Sequence, residues 1–146
     1  MSTRVRRLEA GDRAEWLELF RAYIAFYRAA VPDQVVDLTW QRLMGALPDM
    51  VGLAAVDADG RLVGIAHVVF HPSTWAVTGY AYLEDLFVAP SVRGQGVGRA
   101  LIEAVYGTAD ARGASRVYWV TEEDNATARR LYDGVATRAP FVQYRR

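Results

Sequence analysis

The chain has 146 residues, 52% of them hydrophobic and 23% charged, which is one ordinary domain with enough apolar surface for a single core. It has no cysteine, which excludes a disulfide framework, a thiolate zinc site and a cysteine nucleophile; its 17 basic and 17 acidic side chains cancel, so no global field favours nucleic acid or an anionic membrane. The charged first seven residues lack the apolar stretch of a signal peptide and no apolar run approaches the length of a membrane span, so the expectation is a cytoplasmic protein.

In chain order, residues 3–8 alternate as a first strand with Val5 inward. Gly11-Asp12 reads as a turn into a helix, with Asp12 as the N-cap acceptor. Trp16, Leu19, Phe20, Tyr23, Ile24 and Tyr27 recur at helical spacing over 13–28. After Pro32-Asp33 a second helix is expected over 36–47, with Leu38, Leu43 and Leu47 on its apolar side. Strands 50–56 and 61–70 flank Asp59-Gly60, a hairpin signal. A loop from His71 leads to strand 80–88. A helix over 98–112 follows, with Leu101, Ile102 and Val105 on one face and Gly113 past its end. Strand 115–121, a short helix 125–132 and a last strand 141–144 complete the order β-α-α-β-β-β-α-β-α-β. This is an α/β chain: a mixed sheet with helices packed on it, in which 80–121 forms a βαβ unit.

The informative turn is Arg93-Gly94-Gln95-Gly96-Val97-Gly98, between a strand and a helix. Glycines at alternate positions let backbone N–H groups point one way, and the following helix adds the positive end of its dipole. That combination suits a phosphate or pyrophosphate, with Arg93 and Arg99 flanking it. Gly98-Arg99-Ala100 lacks the Gly-Lys-Ser/Thr ending of a P-loop. The Gly-x-Gly-x-Gly spacing departs from the dinucleotide fingerprint, whose third glycine would fall on Val97 or Arg99. His67 sits within a strand as a core histidine and His71 at a loop edge; two lone histidines make no metal site.

The run from Val88 to Gly98 resembles the acetyl-CoA signature Arg/Gln-x-x-Gly-x-Gly/Ala of the GCN5-related N-acetyltransferases, through Arg93, Gly96 and Gly98. Asn125, Ala128, Leu131 and Tyr132 resemble the family's Asn-x-x-Ala-x-x-Leu-Tyr helix. The stretch 82–88 and the tail Ala139-Pro140-Phe141 are similar to its histone and polyamine branch. The resemblance implies a central mixed, mostly antiparallel sheet flanked by about four helices, and acetyl transfer from acetyl-CoA to a primary amine of a small molecule. The diphosphate would lie on the amides of Arg93, Gly94, Gln95, Gly96, Val97, Gly98 and Arg99. The pantetheine arm would pair with the main chain of Leu86, Phe87 and Val88, and Asn125 would cap the short helix on the cofactor side.

Tyr132 is the expected general acid, because a phenol near pKa 10 still holds its proton at pH 7 for the departing thiolate. An alkylammonium needs a base to become nucleophilic. Glu84 and Asp85 are adjacent on a strand and would face opposite ways, and the resemblance favours Glu84 as base, with Asp85 holding substrate. Tyr27 and Trp75 are expected to line the amine site as aromatic walls. A short last strand exposes an edge, and related enzymes exchange such strands across a two-fold axis, so a homodimer is expected. A non-catalytic acyl-CoA-binding module and a nucleotide-binding domain are the alternative readings.

Overall fold

A computed structural model describes residues 3–146. Strands β1 (Arg4–Arg7), β2 (Met50–Val56), β3 (Leu62–Ser73), β4 (Ala76–Val88) and β5 (Arg116–Tyr118) form one sheet in chain order. The first three pairings are antiparallel, and β5 runs parallel to β4 over Tyr80, Ala81 and Tyr82. Helices α1 (Arg13–Phe26), α2 (Asp33–Gln41), α3 (Val97–Ala111) and α4 (Ala126–Val135) complete the fold. The α3 crossover makes β4-α3-β5 the expected βαβ unit. Among the described residues no helix is long and apolar enough to cross a membrane.

Two cores sandwich the sheet. On one face α3 buries Leu101, Ile102, Val105 and Ala109 against Val51, Leu53, Ala66, Val68, Ala81 and Leu83. On the other, Trp16 and Phe20 of α1 and Val36 and Trp40 of α2 pack with Leu43 on Ala54, Val56, Ile65 and Phe87. Each fully buried aliphatic side chain here contributes roughly 1.5–3 kcal/mol. The β2–β3 hairpin forms at Asp59-Gly60: the Asp57 carboxylate accepts from the Asp59 and Arg61 amides at 2.9 and 3.0 Å.

Several expectations are corrected. Asp12 stands at the N-cap of α1 as expected, but its side chain makes no capping bond to that helix; it closes a capping box on Glu9, accepting the Glu9 amide at 2.7 Å, and grips the Arg6 guanidinium with both oxygens. The second helix starts at Asp33, not at 36, and passes into a π-turn at Arg42–Ala46. Its inward face is Val36, Trp40 and Leu43, leaving Leu38 and Leu47 exposed, because the large Trp40 ring fills the space against Trp16 at 4.8 Å. Strands β3 and β4 run on past the expected loop to a tight turn at Thr74-Trp75. Residues 136–146 form no strand: Phe141, Val142 and Tyr144 extend into solvent.

Candidate active site

The site begins with an irregularity in β4. His67 pairs with Asp85 and the next residue, Val68, pairs with Leu83, so Glu84 is an extra residue bulged out of the β3–β4 ladder. A bulge breaks the two-residue alternation and bends its strand. The expectation that Glu84 and Asp85 simply face opposite ways is therefore replaced. Leu83 turns into the α3 core, Asp85 faces His67 on the α1 side, and Glu84 stays at the surface. Beyond Tyr82 the bent strand has no partner in β5, which ends at Tyr118. The edge of β4 from Leu83 to Val88 is left open on that side.

Glu84 and Tyr132 line one small pocket together with Tyr23, Tyr27, Leu86 and Trp119. Asn125 positions Tyr132 by capping α4, its Oδ1 accepting from the Ala128 amide at 3.3 Å while its Nδ2 donates to Thr121 Oγ1 at 3.5 Å. The Trp119 ring meets Tyr132 edge-on at 5.4 Å. Burial, with Tyr27 nearby, pushes the Tyr132 phenol up to about 12, so it holds its proton throughout the neutral range. Burial and the neighbouring Asp85 charge raise the Glu84 carboxyl above the ordinary carboxylate range. Burial first, then the Asp85 charge, raises the Tyr23 phenol strongly, so it too stays protonated in the neutral range.

The glycine turn lies at the start of α3. Gly94 and Gly96 have φ of 80° and 82°, the left-handed region that L side chains rarely adopt, and a Cβ at either would meet nothing. The α3 N-cap is Gly96, with no side chain capping the helix, so the first-turn N–H groups are open donors. Such a cradle of unclaimed amides fits the diphosphate of an acyl-CoA, and the open β4 edge fits an amide-rich pantetheine arm. Gly98 has a different use: a Cβ there would stand 3.0 Å from Leu131 Cδ2, so it lets α4 approach α3. Arg93 turns back, donating from Nε to the Val88 carbonyl at 3.3 Å beside the Phe87 ring. In this position it braces the turn.

The expected residues are therefore unequally assembled. Tyr132, Glu84, Tyr27 and Leu86 meet in the pocket, and Asp85 lies just behind Tyr23. Trp75 does not join them: it sits at the tip of the β3–β4 hairpin, 86% exposed, because both strands extend far past the site. Trp40 belongs to the core against Trp16 and takes no part in the pocket. Trp119 and Leu83 were missed as lining residues. The bulge had a signal: Leu83 and Leu86 are three apart, a spacing that cannot put both on one face of a regular strand.

Residues 16–134 match the acetyltransferase (GNAT) family. The chain is 36% identical over 143 residues to a D-amino-acid N-acetyltransferase, HPA3, of Saccharomyces cerevisiae, covering 97% of this chain and 89% of the relative. It is 28% identical to an uncharacterized N-acetyltransferase, YhfO, of Bacillus subtilis, covering 96% and 94%. Its fold superposes with a TM-score of 0.85, at 20% identity and covering 100% and 98%, on a structure of AAC(6')-Iy in complex with a CoA-based bisubstrate analogue. By these matches over nearly the whole chain, this chain belongs to the GNAT family and is an acetyl-CoA-dependent N-acetyltransferase.

Proposed function

We propose that the enzyme acetylates the primary amine of a small molecule, an amino-acid-like acceptor first and a diamine or polyamine second. The observation that carries this reading is the convergence of Glu84 and Tyr132 in one tyrosine-lined pocket beside the open β4 edge. The yeast relative's named substrate class, at 36% identity over nearly the whole chain, supports the first acceptor. The carboxylates of Glu84 and Asp85 among aromatic rings support any organic cation, and so the second.

Acetyl-CoA supplies the acetyl group as an activated thioester. The amides of the 93–99 turn would hold its diphosphate, and the main chain of Leu86, Phe87 and Val88 would hold its pantetheine arm. Asp85 and Tyr27 hold the ammonium form of the acceptor. Glu84 accepts one N–H proton, directly or through water, which frees the nitrogen lone pair to attack the acetyl carbonyl. As the carbon–sulfur bond breaks, Tyr132 gives its phenolic proton to the departing sulfur, and the second proton of the acetylated nitrogen returns to the phenolate. The raised Glu84 carboxyl suits this role, because a stronger base takes a proton from an alkylammonium more readily.

The exposed Phe141, Val142 and Tyr144 beyond α4, together with the unpaired outer edge of β5, support pairing with a second copy through the tail. The functional reading is tested by following thiol release from acetyl-CoA with a panel of D- and L-amino acids, diamines, polyamines and aminoglycosides. Turnover with amino acids or polyamines is the expected result. Tight acetyl-CoA binding with no turnover on any amine would instead mark a non-catalytic acyl-CoA module.

A further inference from the structure

His67 is a polar side chain only 2% exposed, and the transfer chemistry above makes no use of it. Its ring is held from both sides. Trp16 Nε1 donates to His67 Nε2 at 2.9 Å, and His67 Nδ1 lies 2.8 Å from Asp85 Oδ2. An indole N–H can only donate, so Nε2 is the acceptor and the proton of the ring sits on Nδ1, donating to Asp85. Phe20 closes edge-on over the imidazole at 5.0 Å. His67 is also the cross-strand partner of Asp85 at the bulge. The irregularity that puts Glu84 in the pocket therefore also turns Asp85 onto this ring.

The Asp85 side chain keeps 19% of its surface exposed. Among the described residues no buried side-chain nitrogen or oxygen lacks a hydrogen-bond partner, so the oxygen that His67 does not hold is not sealed in the core. The Asp85 carboxylate neighbours the Tyr23 phenol, and Tyr23 lines the pocket with Glu84 and Tyr132.

We propose that Trp16 and His67 are positioning residues for the acceptor: they lock the Asp85 carboxylate in one orientation, leaving its second oxygen to hold the ammonium group beside Glu84. The proposal rests on the amine-acetylating function above and deepens it. The ring is not a proton relay, because a second proton on Nε2 would set one N–H against the Trp16 N–H. The proton of the amine goes to Glu84, and His67 stays a brace. A free carboxylate beside a pocket would sample several rotamers and pay an ordering cost on each binding event, which the brace removes.

Steady-state acetylation of an accepted amine, acetyl-CoA binding by calorimetry and thermal melts are compared for wild type, His67→Leu, His67→Asn and Trp16→Phe. Leucine removes the donor to Asp85, and the amine KM is expected to rise about tenfold, the scale of one hydrogen bond to a charged group. The kcat and the acetyl-CoA affinity should change far less. Asparagine places an N–H where Nδ1–H stood and should restore most of the amine KM. Imidazole nitrogen shifts should show the wild-type proton on Nδ1, with the Nε2–H form appearing in Trp16→Phe together with a raised KM. If His67→Leu does not fold, Trp16→Phe and His67→Asn give the same decision. An unmoved amine KM in every folded variant, with only the melting temperature lowered, overturns the proposal, as does a wild-type proton on Nε2. A wild-type enzyme that turns over no amine is a separate outcome, which removes the functional reading itself and the proposal with it.

Discussion

Glu84 and Tyr132 line the same pocket, one delivered by a bulge in β4 and the other by a helix whose start is capped by Asn125. The proposed base for the amine and the proposed acid for the sulfur thus stand in one pocket. Neither position is set by its own element alone, since regular pairing of β4 would have moved the side chain of Glu84 to another face.

Tyr132→Phe should lower kcat by about 10²–10⁴-fold while leaving acetyl-CoA affinity nearly unchanged, because only a transferable proton is lost. Steady-state kinetics paired with calorimetry checks this. An unaltered kcat would mean that water protonates the thiolate.

Glu84→Gln should move the pH–rate profile to higher pH, where the free amine is already abundant. In the wild type, activity should rise as Glu84 loses its proton, and burial places that ionisation above the usual carboxylate range. The profile of kcat/KM from pH 5 to 10 is the measurement. Superimposable wild-type and variant profiles would place the base elsewhere.

Gly96→Ala and Gly98→Ala should fail differently. Alanine at 96 must hold a φ of 82°, at a cost of roughly 1–2 kcal/mol, and should weaken acetyl-CoA binding by distorting the amide cradle. Alanine at 98 meets Leu131 Cδ2 at 3.0 Å and should push α4, and with it Tyr132, so that kcat falls more than cofactor affinity. Calorimetry and turnover on both variants separate the two effects. Equal losses of affinity would show that a Cβ at 98 disturbs the amide cradle as much as one at 96.

Alkaline stability should report the buried phenols. Tyr132 ionises near 12 in the fold and near 10 when unfolded, so its contribution is complete below pH 10 and lost as pH rises towards 12. Denaturant midpoints across that window should fall with pH, and Tyr132→Phe should make the slope shallower by up to one proton. An unchanged slope would mean that the phenol is freely solvated.

Light scattering at micromolar concentration should give a dimer mass, and removal of residues 139–146 should give a monomer. A monomer for the full chain, with or without acetyl-CoA, would leave the exposed tail without a partner.

Features resting on local chemistry were legible in the sequence. Asp59-Gly60 predicts its hairpin because a short acidic turn satisfies its own amides, and the glycines of the 93–98 turn predict the positive φ found at Gly94 and Gly96. Asn125 predicts the α4 cap, and the three long strands follow from β-branched and alternating runs. Other features depend on partners far along the chain. His67 is a core histidine from its own strand, but its bond to Trp16 spans 51 positions and its bond to Asp85 spans 18. Strand alternation predicts opposite faces for Glu84 and Asp85, and pairing with β3 overrides it with one unpaired residue. The inward face of α2 was decided by the Trp16 ring, the position of Trp75 by how far two strands continue to pair, and the unformed last strand by the absence of a pairing strand for 141–144 among the described residues. Composition and spacing specify what a segment can satisfy by itself; register, burial and charge pairing are settled only when distant segments compete for the same space.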